Sequence, residues 1–364
     1  MNPLLREIRQ SPLLWLLVFV PAVFITARIK HEAHTLLFVL SVLAIVPLAA
    51  LLSHATESVA AKTGDAAGGL LNATLGNLTE LVIAFTALSA GQIMLVKASI
   101  AGAIVTNTLF MLGTSFLLGG LKHHVQEFNR VSARLQSGLL FLATIALLVP
   151  SATSTADPAS APFTQTLSAG LAVLLIVAYG LGMLFSLKTH PALFAGAGHG
   201  DDGEPPWPIG LAVASLAGVT VLVALVSEIF VESVQKAAES FGMTPAFVGF
   251  IVVSLVGGAA EMGSAVSGAR KNRLDLSVGI ALGSASQIAL FVAPALVLMS
   301  YFIGPMPMNL QFWPGAVVMM MIATLTAVFV TNSGRSAWFV GVLLLMVYMV
   351  FAMTLYLMPP GASK

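Results

Sequence analysis

Apolar residues in this chain do not alternate, and they do not keep to one side of a helical period. They run in blocks, approximately 12–29, 35–56, 69–90, 97–120, 135–151, 164–187, 208–233, 245–269, 275–302, 311–331 and 336–357. A helix needs about 20 such residues to cross the hydrocarbon core of a bilayer. The pattern therefore predicts an all-α integral membrane protein of about eleven transmembrane helices. Met1 to Gln10 followed by an apolar run imitates a signal peptide, but no Ala-x-Ala site precedes Arg28, so this run is read as the first spanning helix.

Most charged residues lie in the gaps. The longest gap, Gly196 to Pro208, carries His199, Asp201, Asp202 and Glu204 among Gly and Pro, and it cuts the chain in two. Residues 1–34 then form the amino terminus and leading helix, 35–187 a first set of five helices, 188–207 an acidic linker, and 208–364 a second set of five. Alternate gaps lie on alternate faces of the membrane. Eleven of the 16 basic residues (Arg6, Arg9, Lys62, Lys122, Arg130, Arg134, Lys188, Arg270, Lys271, Arg273 and Arg335) then share the amino-terminal face. Basic residues resist translocation, so the amino terminus and the linker are expected in the cytoplasm, with the protein in a bacterial inner membrane. Trp207, Trp313 and Trp338 fall near span ends, where interfacial aromatics belong, and Lys97 is expected to snorkel to the opposite interface.

Composition removes whole classes of function. Charged residues are 9% of the chain and hydrophobic ones 58%, against about 25% charge in soluble domains. The net charge of +1 comes from scattered residues, so no nucleic-acid partner is expected, and zero cysteines exclude thiolate chemistry. No Ser-His pair, His-Glu-x-x-His motif or aspartyl pair lies inside the spans, so the chain is not read as an enzyme.

Two glutamates break the apolar pattern. Glu80 and Glu261 each lie inside a span, where an ionised carboxylate costs roughly 2.5 kcal/mol or more. Their surroundings align without a gap. Leu70-Leu-Asn-Ala-Thr-Leu-Gly76-Asn77-Leu-Thr-Glu80 lies over Ile251-Val-Val-Ser-Leu-Val-Gly257-Gly258-Ala-Ala-Glu261, and the same offset carries Ala84 onto Ala265, Gly102 onto Gly283 and Leu109-Phe110 onto Leu290-Phe291. Thr56-Glu57 also ends the second span as Ser227-Glu228 ends the seventh. Five spans separate equivalent elements. An odd number reverses direction, so the pattern predicts two inverted five-helix repeats after the leading helix, with the substrate site near the bilayer midplane.

Glycines 76, 257 and 258 weaken the helices there and free backbone carbonyls for a cavity. A hard cation is held by such oxygens. The candidate ligands are the carboxylates of Glu80 and Glu261, the amides of Asn77, Asn107 and Gln287, and the hydroxyls of Thr106, Ser284 and Ser286. Histidine is absent from both motifs, which argues against zinc or copper. With no cation between them, two carboxylates in a low dielectric repel one another and take up protons, so cation and protons compete for one site.

The segments Gly68-Gly-Leu-Leu-Asn-Ala-Thr-Leu-Gly-Asn-Leu-Thr-Glu80, Ser227-Glu228, Phe241-Gly-Met-Thr-Pro-Ala-Phe-Val-Gly-Phe-Ile251 and Ser286-Gln-Ile-Ala-Leu-Phe-Val-Ala-Pro294 resemble the calcium/proton exchangers of the calcium/cation antiporter superfamily. The resemblance implies calcium export in exchange for protons, with no cofactor beyond the transported ions. It implies that Glu80 and Glu261 bind the cation and exchange protons, that Asn77 is a coordinating amide, and that Glu57 and Glu228 are carboxylates on the access route. The second motif departs from the family's pattern, with Gly258 in place of Asn, Met262 in place of His and Ser254 in place of Pro. Fewer ligand oxygens suit a monovalent ion, so sodium or potassium exchange for protons is the alternative. A cation channel needs neither inverted repeats nor paired titratable groups.

Overall fold

A computed structural model describes residues 3–63, 68, 71–72, 74–153, 161–190 and 206–357. Most of the acidic linker, including Asp201, Asp202 and Glu204, lies outside the described residues. A short helix α1 (Pro3–Gln10) leads into α2 (Pro12–Ile29). The first set contains α3 (His34–Lys62), α4 (Leu78–Ser89), α5 (Ile93–His123), α6 (Arg130–Thr153) and α7 (Ala161–Thr189). The second contains α8 (Ile209–Ser240), the bent pair α9 (Pro245–Gly257) and α10 (Ala259–Arg270), then α11 (Leu274–Met299), α12 (Pro314–Thr331) and α13 (Trp338–Leu357). Among the described residues, nine helices are long and apolar enough to cross a membrane and the bent pair makes a tenth. The protein is a multi-pass membrane protein whose spans are all helical.

The repeat is reproduced in the backbone. Helix α4 starts at Leu78 and ends at Ser89, and α10 starts at Ala259 and ends at Arg270, each twelve residues long. The following helices start at Ile93 and Leu274, at the same offset. Both of these helices relax into a π-helical turn at the same place, Thr106–Met111 in α5 and Ile288–Val292 in α11. Such widened turns concentrate at functional sites in helices.

Contacts between loops fix which ends share a face. Lys122 and the ring of His123 reach the carbonyl of Arg270 at 3.0 and 3.1 Å, and strand β1 (Val125–Glu127) pairs antiparallel with β2 (Arg335–Ala337). These segments lie at one end of the bundle. At the other end Lys97 donates to the Asn309 side chain and the Gln311 carbonyl at 2.6 and 2.8 Å, and Lys236 meets the His34 ring at 2.9 Å. Helix α5, about 46 Å long at 1.5 Å per residue, separates the two ends. Helix α10 ends at Arg270, on the face of the strand pair. Helix α4 ends beside Gly91, whose side-chain position abuts Pro305 on the opposite face. The equivalent helices therefore run in opposite directions.

Lipid tails are as apolar as the side chains, so the helices are held by close packing rather than by a hydrophobic drive. The long helices α3 and α8 pack along each other, with Phe38 and Phe230 stacked at 5.4 Å. Helix α5 touches α9 through Gly102, where a Cβ would run into the Phe250 backbone and the Ser254 hydroxyl.

Three expectations need correction. The helices carrying Glu57 and Glu228 do not end there but continue to Lys62 and Ser240, because the first glycines after them, Gly64 and Gly242, come only beyond those ends. Trp207 and Trp313 sit at helix ends yet are only 2% and 6% exposed, turned inward against His54 at 4.7 Å and Phe250 at 6.3 Å. Trp338, at 43%, is the one of the three that faces outward. Lys97 does not snorkel freely, since the loop before α12 ligates its ammonium. The strand pair was not foreseen.

Candidate functional site

The two glutamates owe their position to broken helices. Asn77 is the residue before α4, its backbone outside the helical region at φ −98° and ψ 30°, and Gly258 holds the same place before α10 at φ −81° and ψ 8°. Helices α9 and α10 meet at a bend of 59°. Glu80 and Glu261 are thus each the third residue of a new helix. First-turn amide groups have no partner within the helix, and the positive end of the helix dipole favours an anion there. A break inside a span is tolerated only where protein or a polar cavity takes up the freed backbone groups.

The structure brings the breaks face to face. A Cβ at Gly257 would lie 3.0 Å from Cγ of Glu80 and 3.4 Å from its Oε1, so the first carboxylate rests on the second break. At Gly258 the nearest side-chain atoms to such a Cβ are Oε1 of Glu80 and Oδ1 of Asn107, both at 3.7 Å. At Gly76, in the first break, the corresponding atom is Oε1 of Gln287 at 3.5 Å. A Cβ at 257 would press on the Glu80 side chain, which would have to give by a few tenths of an ångström.

A chain of neutral side chains ties the two halves together around these carboxylates. Asn77 donates through Nδ2 to Gln287 Oε1 at 2.5 Å, Ser284 Oγ donates to Asn77 Oδ1 at 2.7 Å, and Asn107 Nδ2 donates to Ser284 Oγ at 2.8 Å. Asn77, Asn107 and Ser284 are buried. Glu261 lies beside Ser284 and Glu80. Its Oε2 is buried without a hydrogen-bond partner, as is the hydroxyl of Ser286. A carboxylate oxygen left bare at membrane depth calls for a cation or a proton.

Among the candidates, Glu80, Glu261, Asn77, Asn107, Gln287, Ser284 and the three glycines converge. Thr106 is directed elsewhere, its hydroxyl 3.3 Å from that of Tyr348 on α13. Glu57 and Glu228 are exposed on α3 and α8, Glu57 accepting from Ser53 at 3.3 Å, and each follows a buried hydroxyl, Thr56 or Ser227, that has no partner. Among the described residues no three His, Asp or Glu side chains gather into a metal-binding group, so a cation here must draw on amides, hydroxyls and carbonyls as well as two carboxylates. Tyr348 and Gln136 of α6 escaped sequence reading. Tyr348 lies in an apolar run with no polar neighbour, and Gln136 has no counterpart at the repeat offset, where Val317 stands.

Comparison with known proteins gives one consistent result. The model of the family described as sodium/calcium exchanger protein matches residues 33–188 and 211–357. A curated relative named Ca(2+)/H(+) antiporter from Aphanothece halophytica is 40% identical over 359 residues, covering 94% of this chain and 96% of that protein. The solved structure of native YfkE superposes with a TM-score of 0.83 at 36% identity, over 96% of this chain and 100% of that one. The structure of the H+/Ca2+ exchanger CAX, 16% identical with a TM-score of 0.73 over 96% of this chain and 89% of that one, shares the fold.

Proposed function

Because the chain belongs to the sodium/calcium exchanger protein family, we propose that it is a secondary antiporter that exports calcium from the cytoplasm in exchange for protons. Glu80 and Glu261 are the groups that carry either ion. The observation that carries this reading is the bare Oε2 of Glu261 beside Glu80, inside a ring of neutral oxygens. Curated relatives and a solved structure at 35% identity bear names of calcium/proton antiporters, which supports the same assignment.

The geometry supplies coupling through charge. Two carboxylates carry two negative charges, which one calcium ion neutralises and which two protons neutralise equally well. Either loaded state crosses a low-dielectric centre at modest cost. The empty state would move two bare anions through it, each costing roughly 2.5 kcal/mol or more, so the carrier reorients only when loaded. Calcium takes about six to eight oxygens in flexible geometry, which Glu80, Glu261, Asn77, Asn107, Gln287, Ser284 and carbonyls freed at Gly76, Gly257 and Gly258 can supply. Glu57 and Glu228, on the long helices α3 and α8, line the approach. The amino terminus and the acidic linker face the cytoplasm of a bacterial cell, and no cofactor takes part.

A second reading, sodium or potassium in place of calcium, is favoured by one feature only. Gly258 stands where Asn77 stands in the other half, so the site has one amide fewer than a symmetric pair. Inside-out vesicles with an imposed pH gradient separate the two. Calcium at millimolar concentration is expected to collapse part of the gradient. Collapse by sodium or potassium, with calcium inert, would transfer the site to a monovalent ion.

A further inference from the structure

One face of α11 carries a polar trail that the cation site does not use. Asp275, Gly279 and Gly283 recur every four residues, so they lie in line on the helix and the two glycines leave a groove without side chains. Facing the groove from α6 are Ser132 and Gln136. Between the helices is a cavity of about 10 Å³ lined by Asn129, Ser132, Gln136, Asp275 and Gly279 among others, the size that holds one water. Asp275 accepts a hydrogen bond from the backbone of Asn129. Gln136 donates to Ser132 Oγ at 3.0 Å, while its own Oε1 is buried with no partner. That oxygen lies 4.0 Å from where a Cβ of Gly283 would stand. The next residue is Ser284, which lies beside Glu261.

The other half of the repeat is closed at the equivalent place. Met94 and Ala98 stand where Asp275 and Gly279 stand, Gly102 is pressed against the Phe250 backbone, and Trp313 and Val317 replace Ser132 and Gln136. A polar cavity on one face and dry packing on the other break an otherwise symmetric scaffold. Asp275 follows Arg270, Lys271 and Arg273 in the chain, on the basic face expected in the cytoplasm.

We infer that Asp275, Ser132 and Gln136, with one ordered water, form a proton exit from the paired glutamates to the cytoplasm, separate from the path by which calcium enters. A space for one water is too small for an ion that needs about six oxygens. A proton passes by hopping. The proton leaves the Glu261 carboxyl, which keeps the bonding electron pair and becomes the anion that calcium meets. It moves past Ser284 to water held by Gln136 and Ser132, and reaches the Asp275 carboxylate, which yields it to bulk solvent. Gln136 is a positioning residue that orients the water. Separate paths spare the departing proton from passing the arriving calcium.

This inference rests on the calcium/proton reading, and its test keeps the two apart by measuring two modes of exchange in proteoliposomes. Calcium-for-calcium exchange needs no proton movement, whereas calcium-for-proton exchange does. Gln136→Leu fills the cavity, and Asp275→Asn keeps an oxygen for the Asn129 amide but cannot take up a proton. Each is expected to slow calcium-for-proton exchange on the order of tenfold or more, with calcium-for-calcium exchange and apparent calcium affinity unchanged. Asp275→Glu should restore the rate. Loss of both modes together would mean a structural role, and loss of neither would mean protons leave elsewhere; either overturns the exit path. If Gln136→Leu fails to insert, Asp275→Asn carries the same comparison. Failure of the unmodified protein to exchange calcium at all would remove the paired-glutamate reading and this path with it.

Discussion

Glu80→Gln and Glu261→Gln are each expected to abolish exchange while leaving the protein folded and inserted. Glutamine keeps the size of the side chain and one oxygen but cannot ionise. It therefore removes one of the two charges that balance calcium and one of the two proton acceptors. Because the carboxylates work as a unit, one substitution should cost nearly as much as two, a fall on the order of a hundredfold or more in exchange rate. Thermal stability in detergent should hold or rise, since a charge costing roughly 2.5 kcal/mol or more at membrane depth has gone. Near-normal transport by either variant would end the paired-carboxylate mechanism.

The largest effect on folding is expected at Gly102. A Cβ there meets the Phe250 backbone of α9, which cannot rotate away as a side chain can, so Gly102→Ala must push α5 and α9 apart. Overpacking of this kind costs about 1–3 kcal/mol and sometimes more. The repeat supplies an internal control at Gly283, where a Cβ finds nothing nearer than Gln136 Oε1 at 4.0 Å. Melting in detergent should drop sharply for Gly102→Ala and stay within error for Gly283→Ala. Equal melting of the two variants would show that the close approach of α5 and α9 does not support the fold.

These two glycines also show where sequence alone is informative and where it stops. The spans were legible because a membrane helix is a composition before it is a shape, and both α4 and α10 begin one residue after the equivalent positions Asn77 and Gly258. The offset that joined the two glutamates joins the helix starts and the π-helical turns as well. That two aligned glycines differ in what they touch was not legible, since Gly102 and Gly283 look alike until α9 and α6 are placed against them. The same holds for hydrogen bonds across 210 residues from Asn77 to Gln287, and for Thr106, which the composition of its span offered to the cation and the structure gives to Tyr348. Three-residue strands such as β1 and β2 carry no period to detect, and Glu57 and Glu228 seemed to end their spans only because charge follows them, although helix formers carry α3 and α8 onward.

The claim beneath all of this is that calcium and protons compete for the same two carboxylates. Titrating purified protein with calcium in a weakly buffered solution, while following pH, tests it without transport. Binding should release protons. By linkage, apparent affinity should also weaken as pH falls, by as much as about tenfold per pH unit for each proton displaced. Glu80→Gln should release fewer. Calcium binding that releases no protons, with an affinity unchanged across pH, would contradict the account.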